Sequence, residues 1–254
     1  DPEHPERYGI VHGELEKKKG VYNPSNPDTL EAVVDYIVEQ FEKNPDMERY
    51  VYSTGTHDHP LMDERPESQA LDGGVWNPFI GFPSQTDRWV WFYNRVLERF
   101  DERLPDKKLE IAFYAYGNKM LPPQRWTPDP RLRPTLAPII HCRRHSPLNP
   151  VCPDKHNVRQ VVEGWTRHGV EMYHRGFWWN LASFGAPFPL WSRLGELIPW
   201  AHEVGIKGWS PQVSGDWGAD LPNFYIGAKL MWNHEADVEA LMDDFAAKFF
   251  GPAS

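Results

Sequence analysis

Several things are missing from this chain, and each absence removes a class of function. No stretch approaches the roughly 18 consecutive apolar residues that a membrane helix needs, so no spanning helix is expected. Basic patches are also missing. Lys and Arg total 27 against 36 Asp and Glu, a net charge of −9, and phosphate backbones bind to concentrated positive charge, so a nucleic-acid partner is not expected. The one dense cationic run, Lys17-Lys18-Lys19, reads as a solvated loop. No Gly-rich phosphate loop, G-x-S-x-G elbow or H-E-x-x-H helix occurs, so no cofactor or metal is expected from motifs. Cysteine is scarce: only Cys142 and Cys152, in a Pro-rich loop, open to a disulfide or to two free thiols. There is neither an initiator Met nor a signal peptide. The chain opens at Asp1-Pro2-Glu3-His4, as expected of a processed form or a fragment.

Other residue types are abundant. The 25 prolines are about twice the usual share and sit mostly between periodic segments, which predicts long, stiff, ordered loops. The 12 tryptophans fit a packed core, and those carried on loops would suit stacking on the apolar faces of sugar rings. At 254 residues and 40% hydrophobic, the chain can bury a substantial core.

Helical periodicity is clear in six places. Asp28-Thr29-Leu30-Glu31 reads as a capping box ahead of Leu30, Val33, Val34, Ile37, Val38 and Phe41. Ser84 to Asp87 opens a second helix with Trp89, Tyr93, Val96 and Phe100 on one face. Asn157 is placed to cap a third, ending before Gly169. A fourth runs from about Leu190 to Gly205, and two more cover Leu221 to Trp232 and Glu235 to Phe250. Short apolar runs lie between them: Tyr50–Ser53, Leu109–Tyr116, Leu136–His141, Val170–His174 and Ile206–Ser210. Their continuous apolarity predicts strands covered on both faces, as in a parallel sheet.

This order predicts an α/β fold with right-handed crossovers. Strand-to-helix loops are long and helix-to-strand loops short, as in a barrel whose βα loops carry the site. An open doubly wound sheet shares that asymmetry. Five strands cannot close an eight-stranded barrel. The expectation is one domain over residues 1–254: either an open sheet, or an incomplete TIM-type barrel, the later part of a barrel whose N-terminal strands are missing.

The residues following the strands are then the site candidates. They are His57, Asp58 and His59; Tyr116 and Asn118; His141, Arg143, Arg144 and His145; His174, Arg175, Trp178, Trp179 and Asn180; and Gln212, Asp216 and Trp217. His57-Asp58-His59 joined by His141 or His145 would suit zinc, although the spacing is not a strong metal signature. Cys142, Cys152, His141, His145 and His156 offer a second Cys/His set. Its spacing departs from C-x₂-C, which favours stapling of the loop by a disulfide.

Six pieces, in order, resemble a bacterial family known as domain of unknown function forty-eight thirty-eight. They are His4-Pro5-Glu6; Asn44-Pro45-Asp46 with Ser53 to Asp58; Leu104-Pro105-Asp106-Lys107-Lys108 with Ala115-Tyr116; His141-Cys142 through His145-Ser146-Pro147-Leu148 to Cys152-Pro153; Gly215-Asp216-Trp217-Gly218; and Asn223-Phe224-Tyr225 with Ala228-Lys229-Leu230-Met231-Trp232. The resemblance implies a hexosaminidase-related TIM-type barrel acting on glycosidic bonds, with some members endo-acting N-acetylglucosaminidases. It also implies that the first strand here is about the fourth of the barrel, so that about the fourth to eighth strands are present, and that the substrate is an oligosaccharide or glycan. A secreted or periplasmic location is the accompanying expectation, which a disulfide would suit. In such enzymes an Asp after the fourth strand orients the substrate's acetamido nucleophile, and an adjacent Glu protonates the leaving oxygen.

Here Asp58 is followed by His59 instead of Glu. The expected set is therefore Asp58, Glu64 and Asp216 as catalytic candidates, with Asp63 a further nearby carboxylate. His57, His59, Tyr116, Arg143, His174, Trp178, Trp179 and Trp217 would bind substrate. The opposing expectation is a carbohydrate-binding protein without an acid, and a third is a metal-dependent hydrolase.

Overall fold

The structure, a computed structural model, describes residues 3–55, 61–139, 141–183, 185–213 and 217–253. In chain order the elements are β1 (Ile10–Val11), β2 (Glu14–Leu15), α1 (Pro27–Lys43), β3 (Arg49–Ser53), α2 (Pro66–Gln69), β4 (Trp76–Asn77), β5 (Phe82–Pro83), α3 (Thr86–Arg103), β6 (Lys108–Ala115) and β7 (Leu132–Leu136). They continue with α4 (Pro153–Thr166), β8 (Met172–His174), α5 (Trp191–Glu203), β9 (Ile206–Trp209), α6 (Trp217–Trp232) and α7 (Val238–Phe250). Five strands make a parallel sheet in the order β3-β6-β7-β8-β9, which is also their order along the chain. Two short antiparallel hairpins, β1-β2 and β4-β5, stand apart from it. The α/β expectation holds at that level. Among the described residues no helix is long and apolar enough to cross a membrane.

The chain divides into two compact units, Asp1–Thr135 with Arg167–Glu171, and Leu136–Thr166 with Met172–Ser254. In the first, α1 buries Val34, Ile37, Val38 and Phe41. Its N-cap is Asn26, whose side chain accepts the Asp28 N–H at 2.8 Å, and not the Asp28 box expected from sequence. Pro27 causes the shift, because its fixed φ and missing donor suit the first helical position. Helix α3 buries Val90, Phe92, Tyr93, Val96, Leu97 and Phe100, and Phe41 meets Phe100 with ring centroids 5.5 Å apart. Each such fully buried side chain contributes roughly 1.5–3 kcal/mol. Strands β3 and β6 pair in parallel from Arg49↔Lys108 to Ser53↔Ala112.

The Asp87 carboxylate, at the start of α3, reaches across to the loop after β6. It accepts the backbone N–H groups of Gln124, Arg125 and Trp126, the first at 3.0 and 3.1 Å, the others at 2.6 and 3.1 Å. Long Pro-rich loops of this unit are thus ordered by buried charge as well as by proline.

Strand β7 corrects the sequence reading. The strand is Leu132–Leu136, not Leu136–His141. Leu132, Pro134 and Leu136 are buried in alternation with Arg133 and Thr135, and the polar alternate positions with an internal proline hid the strand.

In the second unit α4 begins at Pro153, so Asn157 is inside the helix and is not its cap. Helix α5 is followed by Gly205 at φ +94°, a conformation glycine tolerates and that lets the chain turn into β9. Asp237 caps α7, accepting the Ala240 N–H at 2.8 Å. The core gathers Trp178, Leu190, Leu194, Ile198, Ile226 and Leu230. Helix α6 approaches Trp178 so closely that a Cβ on Gly227 would lie 2.3 Å from Trp178 Cζ3.

Candidate functional site

In the first unit a cavity of about 540 Å³ opens at the C-terminal end of β3, lined also by residues of α1 and α3. Such a volume is in the range of small-ligand pockets. Its wall combines aromatic rings, Tyr22, Tyr36, Tyr52, Trp89 and Tyr93, with the cations Arg7, Lys17 and Lys18, two of them from the run read as a solvated loop, and with Thr54 and Gly55 at the end of β3. Alternation along β3 directs Tyr52 and Tyr50 to one side of the strand. Trp89 and Tyr93 are one helical turn apart on α3, and their rings lie 5.8 Å apart. Tyr93 is fully buried, and its hydroxyl meets that of Thr54 at 3.2 Å. Burial pushes the Tyr93 phenol well above its ordinary range, so it stays neutral.

Lys119 follows β6 and also lines this cavity. It is only 9% exposed, its ammonium stands 5.3 Å from the Trp89 ring centroid, and burial pushes its pKa down to about 8. A cation over an indole face in a tyrosine-lined hollow can anchor polar groups while the rings take apolar faces.

Among these cavity residues, sequence pattern marks Trp89 and Tyr93 on a helix face, Tyr52 in a strand, and Thr54 and Gly55 within the Ser53 to Asp58 piece, whereas Tyr22, Tyr36 and Lys119 carry no local signal. The link to the expected site is Gly55, which lines the cavity and leads in sequence to His57, Asp58 and His59. Those three candidates lie outside the described residues.

The carboxylates next in sequence, Asp63 and Glu64, do not line this cavity, although Asp63 lines a smaller one that shares Gly20, Tyr22, Trp89 and Lys119 with it. Asp63 is buried and accepts the Ile10 N–H at 2.8 Å, an Arg65 nitrogen at 2.8 Å and the Ser68 hydroxyl. It acts as a structural hub. Glu64 is held at the β1-β2 hairpin, where it accepts the Gly13 N–H at 3.4 Å and lies 3.8 Å from His12 Nδ1. Tyr116 lines a smaller cavity of about 30 Å³ with Asp63, Gln85, Arg88 and Lys119.

In the second unit Arg143, His174 and Trp178 come together around a cavity of about 70 Å³, room for a few waters and too small for a sugar ring. Arg143 donates to the carbonyls of Phe177 and Trp179, the latter at 3.0 Å, so it braces the loop after β8. Burial, then the nearby Arg193, lowers Arg143 to about 10, with Asp220 opposing them. His174 packs against Trp209 with ring centroids 4.1 Å apart and the planes tilted by 34°, and its buried Nδ1 has no partner among the described residues. Burial, then electrostatic contributions from His141 and Lys155, hold its pKa near 3, so the ring is neutral. Trp178 is 3% and Trp179 4% exposed, so both indoles are packed inside. Asp216 lies outside the described residues. Trp217 opens α6, and its side chain is not described.

The Cys/His loop also belongs to this unit. Its two cysteines are free thiols, not the staple expected from spacing. His141 Nδ1 contacts the Cys142 carbonyl at 2.8 Å and Lys155 Nζ at 3.1 Å. His145 Nδ1 turns the other way, to Cys142 Sγ at 3.3 Å.

A five-stranded parallel sheet flanked by helices is the architecture of an α/β protein. The chain belongs to the family described as "Domain of unknown function (DUF4838)", whose model matches residues 2–254. No curated protein matches it.

Proposed function

We propose that this chain is a carbohydrate-active enzyme that hydrolyses glycosidic bonds, with the cavity at the end of β3 as its sugar site. One observation carries the reading: a hollow of about 540 Å³, walled by tyrosines and a tryptophan, lies at the strand end that runs on into His57-Asp58-His59. Sugars present apolar ring faces edged by hydroxyls, and Tyr and Trp match both features. The strand order supports an arc of a TIM-type barrel. Doubly wound sheets reverse order at a switch point, whereas barrel strands neighbour one another in sequence. In this reading Asp58 orients the reacting acetamido group or protonates the leaving oxygen of an N-acetylglucosaminide-like substrate.

The test is hydrolysis of aryl glycosides, N-acetylglucosaminides included, by the wild type and by Asp58→Asn. Release of the aryl group by the wild type and a loss of roughly 10²–10⁴-fold in the variant is expected, the contribution typical of one positioned acid. No release from any substrate, or full activity in the variant, overturns the proposal.

One fact favours a second reading, carbohydrate binding without hydrolysis: none of the described residues lining the cavity is a carboxylate. Calorimetric sugar binding without turnover would select it.

A further inference from the structure

The loop that carries both cysteines folds back on itself. Ser146 Oγ accepts the Leu148 N–H at 3.0 Å, the Ser146 carbonyl accepts the Asn149 N–H at 3.1 Å, and Asn149 Oδ1 accepts the Val151 N–H at 3.1 Å. Pro147, Pro150 and Pro153 stiffen the turns between. The result returns Cys152, at the foot of α4, to Cys142. Asp154 Oδ2, in the first turn of α4, accepts the Cys142 N–H at 3.0 Å and ties the two ends together.

Three ligand atoms converge there. The sulfurs of Cys142 and Cys152 and a ring nitrogen of His145 all lie within 4.8 Å of one another, and Cys142 Sγ to His145 Nδ1 is 3.3 Å. Around a tetrahedral zinc, with Zn–S of about 2.3 Å and Zn–N of about 2.1 Å, such atoms stand about 3.5–3.8 Å apart. The observed triangle needs only small side-chain adjustments to reach that size. A disulfide would use the sulfurs and leave the imidazole turned onto Cys142 without a role.

We propose that Cys142, His145 and Cys152 bind one zinc ion as a structural clasp of this loop, with water at the fourth position. Binding releases the two thiol protons to solvent, and the pair of thiolates balances the charge of Zn²⁺. That neutral set tolerates the cations beside it, Lys155 and Arg193. The clasp would fix the loop that positions Arg143, which braces the Phe177–Trp179 segment. It is separate from the sugar site proposed in the first unit, so either proposal can fail alone.

The experiment is metal analysis of the full chain, purified without chelator and then supplied with zinc alone, together with thiol counting after denaturation in chelator. One bound zinc per chain and two titratable thiols are expected. Cys142→Ser and Cys152→Ser should each drop the zinc-to-chain ratio to near zero, and chelator should lower the wild-type melting temperature. If those variants do not fold, cobalt loading of the wild type serves instead, since thiolate-to-cobalt charge-transfer absorption reports sulfur ligation directly. Absence of bound zinc with no titratable thiols would establish a disulfide. Absence of zinc with two free thiols, or cobalt bound without the sulfur band, overturns the clasp equally.

Discussion

The Arg88 guanidinium grips both oxygens of the Asp72 carboxylate, with Nε to Oδ1 at 2.7 Å and Nη2 to Oδ2 at 2.6 Å. The arginine side chain is 1% exposed, and it also donates to the Asp63 carbonyl at 2.8 Å. One buried cation thus joins α3 to the segment after α2 and to the Asp63 hub. Removing one partner of such a pair strands an uncompensated charge, which costs more than the pair itself contributes. Asp72→Ala should lower unfolding free energy by about 3–5 kcal/mol in urea titrations. Adding Arg88→Met to it should recover part of the loss. A single variant as stable as wild type would contradict the bridging role.

Gly227 permits the close approach of α6 to Trp178. A Cβ there would lie 2.3, 2.6 and 3.0 Å from atoms of the indole ring, which cannot bend away as a flexible chain end can. Gly227→Ala gains about 1 kcal/mol in helix propensity, but overpacking costs about 1–3 kcal/mol. Net destabilisation with altered tryptophan fluorescence is expected. A raised melting temperature would show that the indole has room to shift.

His174 makes stability depend on acid pH. Its pKa falls from 6.5 in the unfolded chain to about 3 in the fold, because burial disfavours the imidazolium. Between those values the unfolded chain binds more protons, so stability decreases as pH falls from 6.5 towards 3. The shift carries at most a few kcal/mol. His174→Phe keeps a ring on Trp209 and should flatten the slope of unfolding free energy across that window. An unchanged slope would mean that other groups set it.

Lys119 gives a slope of the same sign on the alkaline side. Its pKa drops from 10.5 to about 8 on burial. The cost of holding a buried ammonium is present below pH 8 and fades as pH rises from 8 to 10.5, so this group contributes increasing stability over that range. Lys119→Met should be the more stable protein at neutral pH and should lose that rise. If the ammonium also holds substrate, sugar binding weakens above pH 8 in the wild type. Calorimetry at two pH values checks this.

Local sequence patterns decided a good deal. Val34, Ile37, Val38 and Phe41 recur at helical spacing and are buried as that spacing requires. The β6 run is a strand, and the six quoted pieces agree with the family match over residues 2–254. Cap positions and β7 were misread where proline changed the local rules: Pro27 and Pro153 moved helix starts, and Pro134 disguised a strand. Side-chain periodicity is set by a few neighbouring residues, so it survives in a one-dimensional reading. Convergence is not. Tyr22, Tyr36, Tyr52, Trp89 and Lys119 lie far apart along the chain and meet only once parallel strands share a rim, and Cys142 finds His145 and Cys152 only when its loop turns back. The sequence places Trp178 among the substrate-binding candidates, yet the fold buries it, because burial is decided by what packs on a residue from distant segments and not by its own loop position.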